Sequence, residues 1–281
     1  MRLRWLWIAL VPFAAILIYG TLIEPARLVV REVRVPSPPL ARFFGGATVV
    51  HVSDLHTRGI GRRERLLLEA LEKIDPDYVF VTGDYVHANR SREPALELLR
   101  RFPGRAEVWG VLGNVDYDGS RESCLLCHVG GPGGPLRGRE PIRMLRNEAI
   151  DLERDGRRLR LIGLDEMDTR AQGGDPDRLL SAPADSIPVV ILAHTPWMLE
   201  RAADSGADLF LAGDTHGGQI AAPKALLERF LSDKDWRYRR GRFRVGGLWL
   251  HVDSGVGWSI FPVRFGMPPE ITVLRFTEEE E

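Results

Sequence analysis

Five short polar motifs, each standing where an apolar run ends, constrain the fold of this chain more than any other feature. The apolar runs are short, and the run over residues 48–52 is rich in β-branched residues, which is typical of a buried strand. Polar groups that directly follow the strands of an α/β sheet lie where such sheets bind their ligands. The motifs are Asp54-Leu55-His56, Gly83-Asp84, Gly113-Asn114-Val115-Asp116, Ala193-His194 and Gly213-Asp214-Thr215-His216-Gly217-Gly218-Gln219.

The five motifs together supply carboxylates, an amide oxygen and imidazoles. Such a mixed set of oxygen and nitrogen ligands suits hard or borderline divalent cations. No cysteine belongs to the series, which argues against a structural zinc site. The motifs therefore predict a divalent metal site at one edge of a sheet.

The chain between the motifs alternates strands with helices, which predicts an α/β domain built from βαβ units. With 281 residues, of which 44% are apolar, it can bury a sizeable core, and a net charge of −1 gives no bias toward a nucleic acid polymer. Helices are predicted over residues 62–74 and 94–100. Strands are predicted over residues 48–52, 78–81, 107–112, 159–164, 189–193, 209–212, 248–252 and 271–276.

The N-terminal segment from Trp5 to Ile23 carries no charge over roughly 19 residues, about the length that spans a hydrocarbon core. Trp5 and Trp7 at one edge and Tyr19 near the other resemble interfacial anchors. Because no convincing small-residue cleavage site follows, we expect an uncleaved transmembrane anchor over residues 1–24, with a buried core helix as the alternative. Positive charges on both sides leave its orientation open.

Three further segments complete the expected domain organisation. The prolines within residues 35–39 indicate an extended connector, so residues 25–46 are expected to form a linker. The globular domain is expected over residues 47–277. The acidic residues 278–281 are expected to form a tail.

The motif order D-x-H, G-D, G-N-x-D, H and G-x-x-H resembles that of the calcineurin-like metallophosphoesterases, from about Val49 to Phe276. The stretch from Gly213 to Ile220 and the tail from Gly255 to Val273 resemble the membrane-anchored bacterial branch of that family. This branch includes phosphodiesterases and UDP-diacylglucosamine pyrophosphatases of lipid A synthesis. The resemblance implies a four-layer α/β/β/α sandwich, here with an N-terminal transmembrane helix.

The resemblance also implies roles for the motif residues. Two divalent ions are expected, Mn²⁺ first, with Mg²⁺, Fe²⁺ and Zn²⁺ open, and a bridging carboxylate is needed to hold them close together. Asp84 is the expected bridge and Asp116 an expected catalytic residue, together with Asp84 and Asn114. By resemblance, Asp54, His56 and His216 complete the first metal site, and Asn114, His194 and Asp214 complete the second.

Two residues depart from the family pattern. Asp214 stands where histidine is usual; it can coordinate and would favour Mn²⁺ or Mg²⁺ over Zn²⁺, or it can point away and leave a weak second site. Val115 stands where many members have the histidine thought to protonate the leaving group. Its presence favours diester or pyrophosphate substrates, whose leaving groups need little protonation, unless His87 or His251 substitutes.

These features predict a metal-dependent phosphoesterase, held at the bacterial cell membrane by one span, that hydrolyses a phosphodiester or pyrophosphate. The expected substrate is a phosphorylated lipid or a nucleotide-type small molecule, and Arg264 is an expected contact to its phosphate. The membrane face and the oligomeric state stay open. The alternative is a non-catalytic metal- or haem-binding membrane protein on a degenerate phosphoesterase scaffold.

Two other segments carry competing interpretations. Cys124-Leu125-Leu126-Cys127-His128 matches the c-type haem attachment pattern, but its Gly- and Pro-rich surroundings also suit a disulfide or plain thiols in a lid, or an additional metal or redox pair. The basic stretch from Lys234 to Arg244 suits a solvated hairpin or a patch that faces anionic lipid or substrate phosphate.

Overall fold

Within the described part of the chain, the alternating strands and helices build two sheets of six strands each. The computed structural model describes residues 2–87, 91–117, 126, 141–165, 176–180, 187–223, 225–226, 229, 237–259 and 261–279. The strands are β1 (Val29–Pro36), β2 (Val49–Val52), β3 (Tyr78–Thr82), β4 (Glu107–Val111), β5 (Arg143–Met144), β6 (Glu148–Arg154), β7 (Arg157–Gly163), β8 (Val189–Leu192), β9 (Leu209–Ala212), β10 (Gly241–Val245), β11 (Leu248–Val252) and β12 (Glu270–Thr277). The α-helices are α1 (Arg2–Ile18), α2 (Pro38–Phe44), α3 (Arg62–Ile74), α4 (Glu93–Leu99), α5 (Pro176–Leu180) and α6 (Leu199–Ala203).

The strand order explains why the polar motifs meet. The first sheet has the order β1-β12-β2-β3-β4-β5 and the second the order β10-β11-β9-β8-β7-β6. Strands β2, β3 and β4 run parallel in the first sheet, as do β7, β8, β9 and β11 in the second. The carboxyl ends of parallel neighbours lie at one edge of their sheet. The motifs follow β2, β3, β4, β8 and β9, as the sequence predicts.

The described residues form three apolar clusters between the layers of the fold. One packs α3 and α4 against the first sheet, through residues such as Leu67, Leu98 and Val50. The second lies between the two sheets, and the third packs α6 against the second sheet. Neighbouring residues of one strand face different clusters, as Val49 and Val50 do, because side chains alternate along a strand. The mixed α/β fold with two sheets is therefore confirmed.

The N-terminal segment differs from the expected anchor. The α-helix ends at Ile18, and a π-helical turn continues it over Tyr19–Ile23. No helix in the part of the chain that the structure describes is both long and apolar enough to cross a membrane. The expectation of a transmembrane helix over residues 1–24 is therefore not supported by the structure.

The expected linker over residues 25–46 is not an extended connector, because it contains β1 and α2. Strand β1 pairs in parallel with β12, with Val35 opposite Phe276. The hydroxyl of Ser37 caps α2, and Pro38 occupies the first turn, where its missing N–H costs nothing. The prolines that suggested a connector thus mark the end of an edge strand and the start of a helix.

Two predicted features fall wholly or partly outside the described residues. Of the Cys124–His128 pattern, the described residues include only Leu126, which is buried. The basic stretch is described from residue 237 onward. There it enters the antiparallel hairpin of β10 and β11, in which Phe243 lies opposite Leu250, so this part agrees with the hairpin interpretation.

Candidate metal centre

The first group of candidate ligands comes from the loops after β2 and β9. The Nε2 atoms of His56 and His216 lie 3.1 Å apart, and His216 Nε2 lies 3.5 Å from Asp54 Oδ1. All three side chains are buried. Two imidazole nitrogens and a carboxylate oxygen therefore lie close together in a buried position. This arrangement has the geometry of a cation site.

The second group converges on His194, at the end of β8. His194 Nε2 lies 3.0 Å from Asn114 Oδ1, 3.4 Å from Asp84 Oδ1 and 3.4 Å from Asp214 Oδ1. The other ring nitrogen, Nδ1, lies 2.8 Å from the carbonyl oxygen of Thr82, which sets the orientation of the ring. The structure thus brings together the four residues expected around the second ion, and the side chain of Asp214 faces the site.

Asp84 lies between the two groups. Its Oδ2 is 3.3 Å from His56 Nε2, and its Oδ1 is 3.4 Å from His194 Nε2. One carboxylate therefore offers a separate oxygen to a histidine of each group. This is the placement that a bridging ligand needs.

Strained backbone holds the candidate ligands in place. A positive φ is rare for residues other than glycine and clusters at functional sites, since each such residue costs free energy. The candidate ligands in this conformation are Asp54 (φ 50°), His56 (φ 40°), Asp84 (φ 56°), Asp214 (φ 68°) and His216 (φ 50°). Each follows or closes a strand end, so the chain turns sharply there and presents the side chain at the sheet edge.

Gly213 allows two of these loops to touch. A Cβ atom on Gly213 would lie 1.8 Å from Ser53 Oγ and 2.5 Å from Asp54 Oδ2. The next residue, Asp214, donates its backbone N–H to the Asp54 carboxylate at 3.1 and 3.2 Å. The loop after β9 can therefore approach Asp54 so closely because Gly213 has no side chain.

Burial and mutual charge shape the protonation states of the site. Burial lowers the pKa of His56 to about 4 and holds the pKa of His216 well below its ordinary value, so both rings are neutral at pH 7. Burial opposes protonation of His194 as well, yet the Asp84 and Asp214 carboxylates raise the pKa of His194 well above 6.5. Burial also raises the pKa of the Asp54 carboxyl to about 7.

The donor set fits divalent ions. Neutral imidazoles and carboxylates are the forms that bind metals, and His56 and His216 are held neutral by their surroundings. A divalent cation would stabilise the crowded, buried carboxylates of Asp54 and Asp84, which otherwise carry like charges out of water. The residues present could therefore hold divalent metal ions.

Asp116 takes a different place from the one expected for a catalytic residue. Its carboxylate has no solvent exposure and accepts hydrogen bonds from the backbone N–H groups of Asp84, Tyr85 and Gly113, at 2.9, 2.9 and 2.8 Å. These bonds join the loops after β3 and β4. Asp116 therefore positions Asp84 rather than facing the candidate ligands.

Arg264 is also placed differently from the expected substrate contact. It has no solvent exposure, and its guanidinium donates to the backbone carbonyls of Ser254 at 2.8 Å, Gly255 at 3.0 Å and Met267 at 3.0 Å. Its Nη2 also lies 3.4 Å from His216 Nδ1. Because these loop carbonyls surround the donors, Arg264 is placed to hold the loop behind His216 rather than to meet a substrate phosphate.

The two histidines that could replace the acid missing at Val115 lie in different surroundings. The ring of His87 stands 6.1 Å from that of His56, and Arg58 bonds to its Nε2. His251 lies away from the ligands, with its Nδ1 3.0 Å from His51 Nδ1. Of the two, only His87 lies beside a candidate ligand.

Sequence reasoning did not identify Arg63 as part of this region. From α3 it donates to the carbonyl oxygens of Leu55 at 3.2 Å and His56 at 3.4 Å, and so supports the backbone of the first motif. Its neighbours in sequence are charged, so the pattern is typical of a solvated helix face. The sequence offers one signal for this region, the capping glutamate Glu64. Its carboxylate accepts hydrogen bonds from Arg63 and from the N–H of Gly61.

Comparison with known proteins places these features in a family. Residues 47–218 match the model described as calcineurin-like phosphoesterase. The chain is 26% identical over 267 residues to the uncharacterized metallophosphoesterase YkuE of Bacillus subtilis (strain 168), covering 91% of this chain and 87% of that protein. It is 29% identical over 202 residues to phosphodiesterase YaeI of Escherichia coli (strain K12), covering 71% of this chain and 70% of that protein.

A third relative is a transmembrane protein with metallophosphoesterase domain from Danio rerio, 27% identical over 286 residues. That alignment covers 94% of this chain but only 61% of the relative's length. The family model spans more than half of this chain, and the matched range contains the residues that meet at the candidate metal centre. The chain therefore belongs to the calcineurin-like phosphoesterase family and is a phosphoesterase.

Proposed function

We propose that this protein is a binuclear metal-dependent phosphoesterase that hydrolyses a phosphodiester or pyrophosphate bond. The observation that carries the proposal is the placement of Asp84, whose two carboxylate oxygens face His56 and His194 at 3.3 and 3.4 Å. In this proposal Asp54, His56 and His216 hold one ion, and Asn114, His194 and Asp214 hold the other. Asp84 bridges the two.

The chain's own residues define what the site can do. When bound, divalent ions in such a site polarise a phosphoryl oxygen and activate water. Three carboxylates, Asp54, Asp84 and Asp214, supply negative charge, and the extra carboxylate at Asp214 favours Mn²⁺ or Mg²⁺ over Zn²⁺. Val115 offers only its backbone N–H, which donates to Asp84 Oδ1 at 3.2 Å, and its side chain cannot supply a proton.

The missing acid at Val115 points to the class of substrate. An alkoxide leaving group loses a typical factor of about 10²–10⁴ in rate without a proton donor, whereas a phosphate or nucleotide leaving group is a weak base and loses little. A pyrophosphate or an activated diester is therefore the substrate class that suits this site. Lipid A precursors of the UDP-diacylglucosamine type belong to that class.

An apolar surface beside the site supports a membrane-associated substrate. Phe261 is 68% exposed, Phe265 39% and Leu22 67%. The ring of Phe265 packs edge-on against Tyr19 at 5.8 Å, and the N–H of Arg264 donates to the carbonyl of Gly20 at 2.9 Å, so the N-terminal segment and this loop form one surface. Large exposed apolar surfaces mark interaction sites. We propose that this surface rests on a bacterial cell membrane.

The enzyme proposal is tested with bis(p-nitrophenyl) phosphate and Mn²⁺. We expect turnover that a chelator abolishes and Mn²⁺ restores, and a loss of at least about 10³-fold in Asp84→Asn, because the bridge is lost. The matched control is Asp155→Asn. This side chain is 79% exposed and lies outside the five motifs in the sequence. No turnover with any divalent metal would overturn the proposal.

The substrate class is tested with Val115→His. The new imidazole should raise turnover of an alkyl phosphodiester by about 10-fold or more and leave bis(p-nitrophenyl) phosphate nearly unchanged, because nitrophenolate needs no proton. Release of UMP from radiolabelled UDP-diacylglucosamine would support the lipid substrate, and its absence would argue against it.

The membrane surface is tested by sedimentation with anionic phospholipid vesicles. Phe261→Ser with Phe265→Ser should lower the bound fraction several-fold, since two large apolar side chains leave the bilayer. Trp197→Ser, a 64% exposed apolar residue elsewhere, is the control. Equal binding of all three proteins would contradict a bilayer contact at this loop.

A further inference from the structure

Two buried histidines that the proposed function does not use meet between the sheets. His51 lies on β2 of the first sheet and His251 on β11 of the second. Their Nδ1 atoms are 3.0 Å apart, and neither residue is more than 1% exposed. A hydrogen bond between two ring nitrogens needs one proton, which one ring donates and the other accepts. The pair therefore joins the two sheets by a bond whose direction depends on its other partners.

A chain of hydrogen bonds leads from His51 to the candidate metal centre. His51 Nε2 lies 2.9 Å from Thr82 Oγ1, and this hydroxyl donates to Ser53 Oγ at 2.9 Å. Ser53 Oγ in turn donates to the carbonyl oxygen of Thr82 at 3.1 Å. The same carbonyl oxygen lies 2.8 Å from His194 Nδ1. The histidine pair and the candidate ligand His194 are thus connected through buried side chains.

The two hydroxyl groups determine where the protons of the pair lie. Each hydroxyl has one proton to donate. The Ser53 proton goes to the Thr82 carbonyl, so the proton between the two hydroxyl groups comes from Thr82. Thr82 Oγ1 therefore accepts from His51, which carries its proton on Nε2. Because a neutral imidazole has one N–H, the Nδ1 atom of His51 accepts and that of His251 donates.

Both rings of the pair are neutral at pH 7, as this assignment requires. Burial lowers the pKa of His251 to about 4. Burial, together with the neighbouring His251 ring, holds the pKa of His51 well below 6.5. His194 follows a simpler rule, because a carbonyl oxygen can only accept a hydrogen bond. Its Nδ1 therefore carries a proton, and its Nε2 is the nitrogen that faces an ion.

The peptide group between Thr82 and Gly83 is the element that this chain of bonds holds. Its carbonyl orients His194, and the residue after Gly83 is Asp84, the candidate bridge. A Cβ atom on Gly83 would lie 2.6 Å from His194 Nδ1, so the ring packs directly against this peptide. A shift of the peptide would therefore displace both His194 and Asp84.

We propose that His51 is a positioning residue for the metal centre and that His251 assists it by donating to its Nδ1. The pair holds the Thr82 hydroxyl, and with it the peptide that follows, in the orientation that presents His194 Nε2 to an ion. This inference rests on the proposed function, because it gives the pair a role in holding one of the two ions. His51 acts only through Thr82 and does not touch the reacting phosphate.

The proton positions are tested in the full, metal-free chain labelled with ¹⁵N-histidine. Long-range ¹H–¹⁵N correlation spectra identify the ring nitrogen that carries the proton, and His51→Gln and His251→Gln assign the two rings by loss of their signals. We expect the proton of His51 on Nε2 and that of His251 on Nδ1. A proton of His51 on Nδ1 would overturn the inference, whether or not the enzyme turns over.

Calorimetric titration of the full chain with Mn²⁺ tests the positioning role. His51→Leu removes both hydrogen bonds, and we expect one of the two ions to bind about 10-fold more weakly, as is typical when a partner behind a ligand histidine is lost. His51→Gln keeps an N–H that can reach Thr82 Oγ1 and should restore the affinity to within about 3-fold of the wild type. Equal losses in the two variants would contradict a role that depends on this N–H.

The matched control is Leu159→Ala. Leu159 is also fully buried between the sheets and lies outside the chain of hydrogen bonds. This variant should lower the stability measured in urea and leave both Mn²⁺ affinities within about 2-fold, because the two regions share no partner. If it weakens an ion as much as His51→Leu does, general destabilisation explains the loss and the positioning role fails.

A double-mutant cycle tests whether His51 acts through Thr82. Thr82→Val removes the hydroxyl group and should by itself weaken Mn²⁺ binding. The combined variant His51→Leu with Thr82→Val should lose at most about 2-fold more affinity than the weaker-binding single variant, because both changes break the same chain. Single losses that multiply in the combined variant would overturn this route.

The outcomes separate this inference from the proposed function. Two bound ions without turnover of bis(p-nitrophenyl) phosphate would overturn the proposed function, while the proton positions and the His51 variants would still decide the positioning role. Turnover together with unchanged Mn²⁺ affinities in His51→Leu would overturn the positioning role alone. A wild-type chain that binds no Mn²⁺ would overturn both.

Discussion

The carboxylate of Asp116 accepts a 2.9 Å hydrogen bond from the backbone N–H of Asp84. A second bond of 2.8 Å comes from the N–H of Gly113, in the neighbouring loop. We expect Asp116→Asn to lower the free energy of unfolding by about 3 kcal/mol, because the amide NH₂ group meets backbone donors where an anion accepted them. Urea denaturation measures the loss, and Asp155→Asn is the control. An unchanged stability would contradict the positioning role.

Gly213 tests whether the loops must touch. Gly213→Ala places a methyl group 1.8 Å from Ser53 Oγ, so the loop after β9 has to move away from Asp54. We expect a stability loss of about 2–3 kcal/mol and weaker Mn²⁺ binding. Gly104→Ala is the matched control, because no atom lies within 4 Å of the position that its methyl group would take. Equal Mn²⁺ affinity in the two variants would refute the close approach.

Asp214 tests metal preference. Asp214 stands at the position where histidine is usual in the family. Its Oδ1 lies 3.4 Å from His194 Nε2. Asp214→His should keep two ions, remove one negative charge and raise the ratio of Zn²⁺-supported to Mn²⁺-supported turnover by about 10-fold, since imidazole suits zinc. Asp214→Ala should lower the metal stoichiometry measured by elemental analysis. Two retained ions in Asp214→Ala would show that Asp214 is dispensable.

Arg264 tests support for His216. Its guanidinium donates to carbonyls of one loop and lies 3.4 Å from His216 Nδ1. Arg264→Lys keeps the charge but cannot reach several carbonyls at once, so we expect a stability loss of about 3 kcal/mol. The kcat for bis(p-nitrophenyl) phosphate should fall while its KM stays within about 2-fold, because positioning and not substrate binding is lost. A raised KM with unchanged kcat would instead restore Arg264 as a substrate contact.

His251 makes stability depend on pH. Burial lowers the pKa of His251 to about 4, from 6.5. As the pH falls below 6.5, the unfolded chain binds a proton that the folded chain binds only near pH 4. Stability is therefore complete above pH 6.5 and falls between pH 6.5 and 4, by about 2 kcal/mol at pH 5.

The comparison for this pH effect is His251→Gln, which has no titrating group at that position. Its loss of stability between pH 7 and pH 5, measured in urea, should be smaller than that of the wild type, whatever its absolute stability. An equal loss in both proteins would assign the pH dependence to other buried groups.

The sequence alone was sufficient to predict the strands that carry the motifs and the order in which the motifs follow them. Short β-branched runs such as Val49–Val52 form strands because they bury both faces, and a polar residue directly after such a run has to emerge at the sheet edge. The meeting of Asp54, Asp84 and His194 follows from that rule. The strands and the polar residues at their ends depend on neighbouring residues in the sequence, so a local sequence pattern predicts them.

Edge elements were harder to predict. Among the described strands, β1 pairs only with β12, more than two hundred residues away, and its flanking prolines resemble a connector. The stability of such a strand comes from its distant partner, which no local pattern contains. The same reason explains why hydropathy alone could not predict that the N-terminal segment docks on the loop around Arg264.

The roles of individual polar residues were decided only by the tertiary structure. Asp116 stands in a motif and Arg264 in the tail, yet both are buried against backbone groups instead of facing a ligand. Arg63, inside an ordinary charged stretch, supports the first motif and lines a cavity. The sequence determined which chemical groups reach the sheet edge, because strand periodicity is local. Which of those groups face the site depends on hydrogen bonds between segments far apart in the chain, and only the folded structure brings these together.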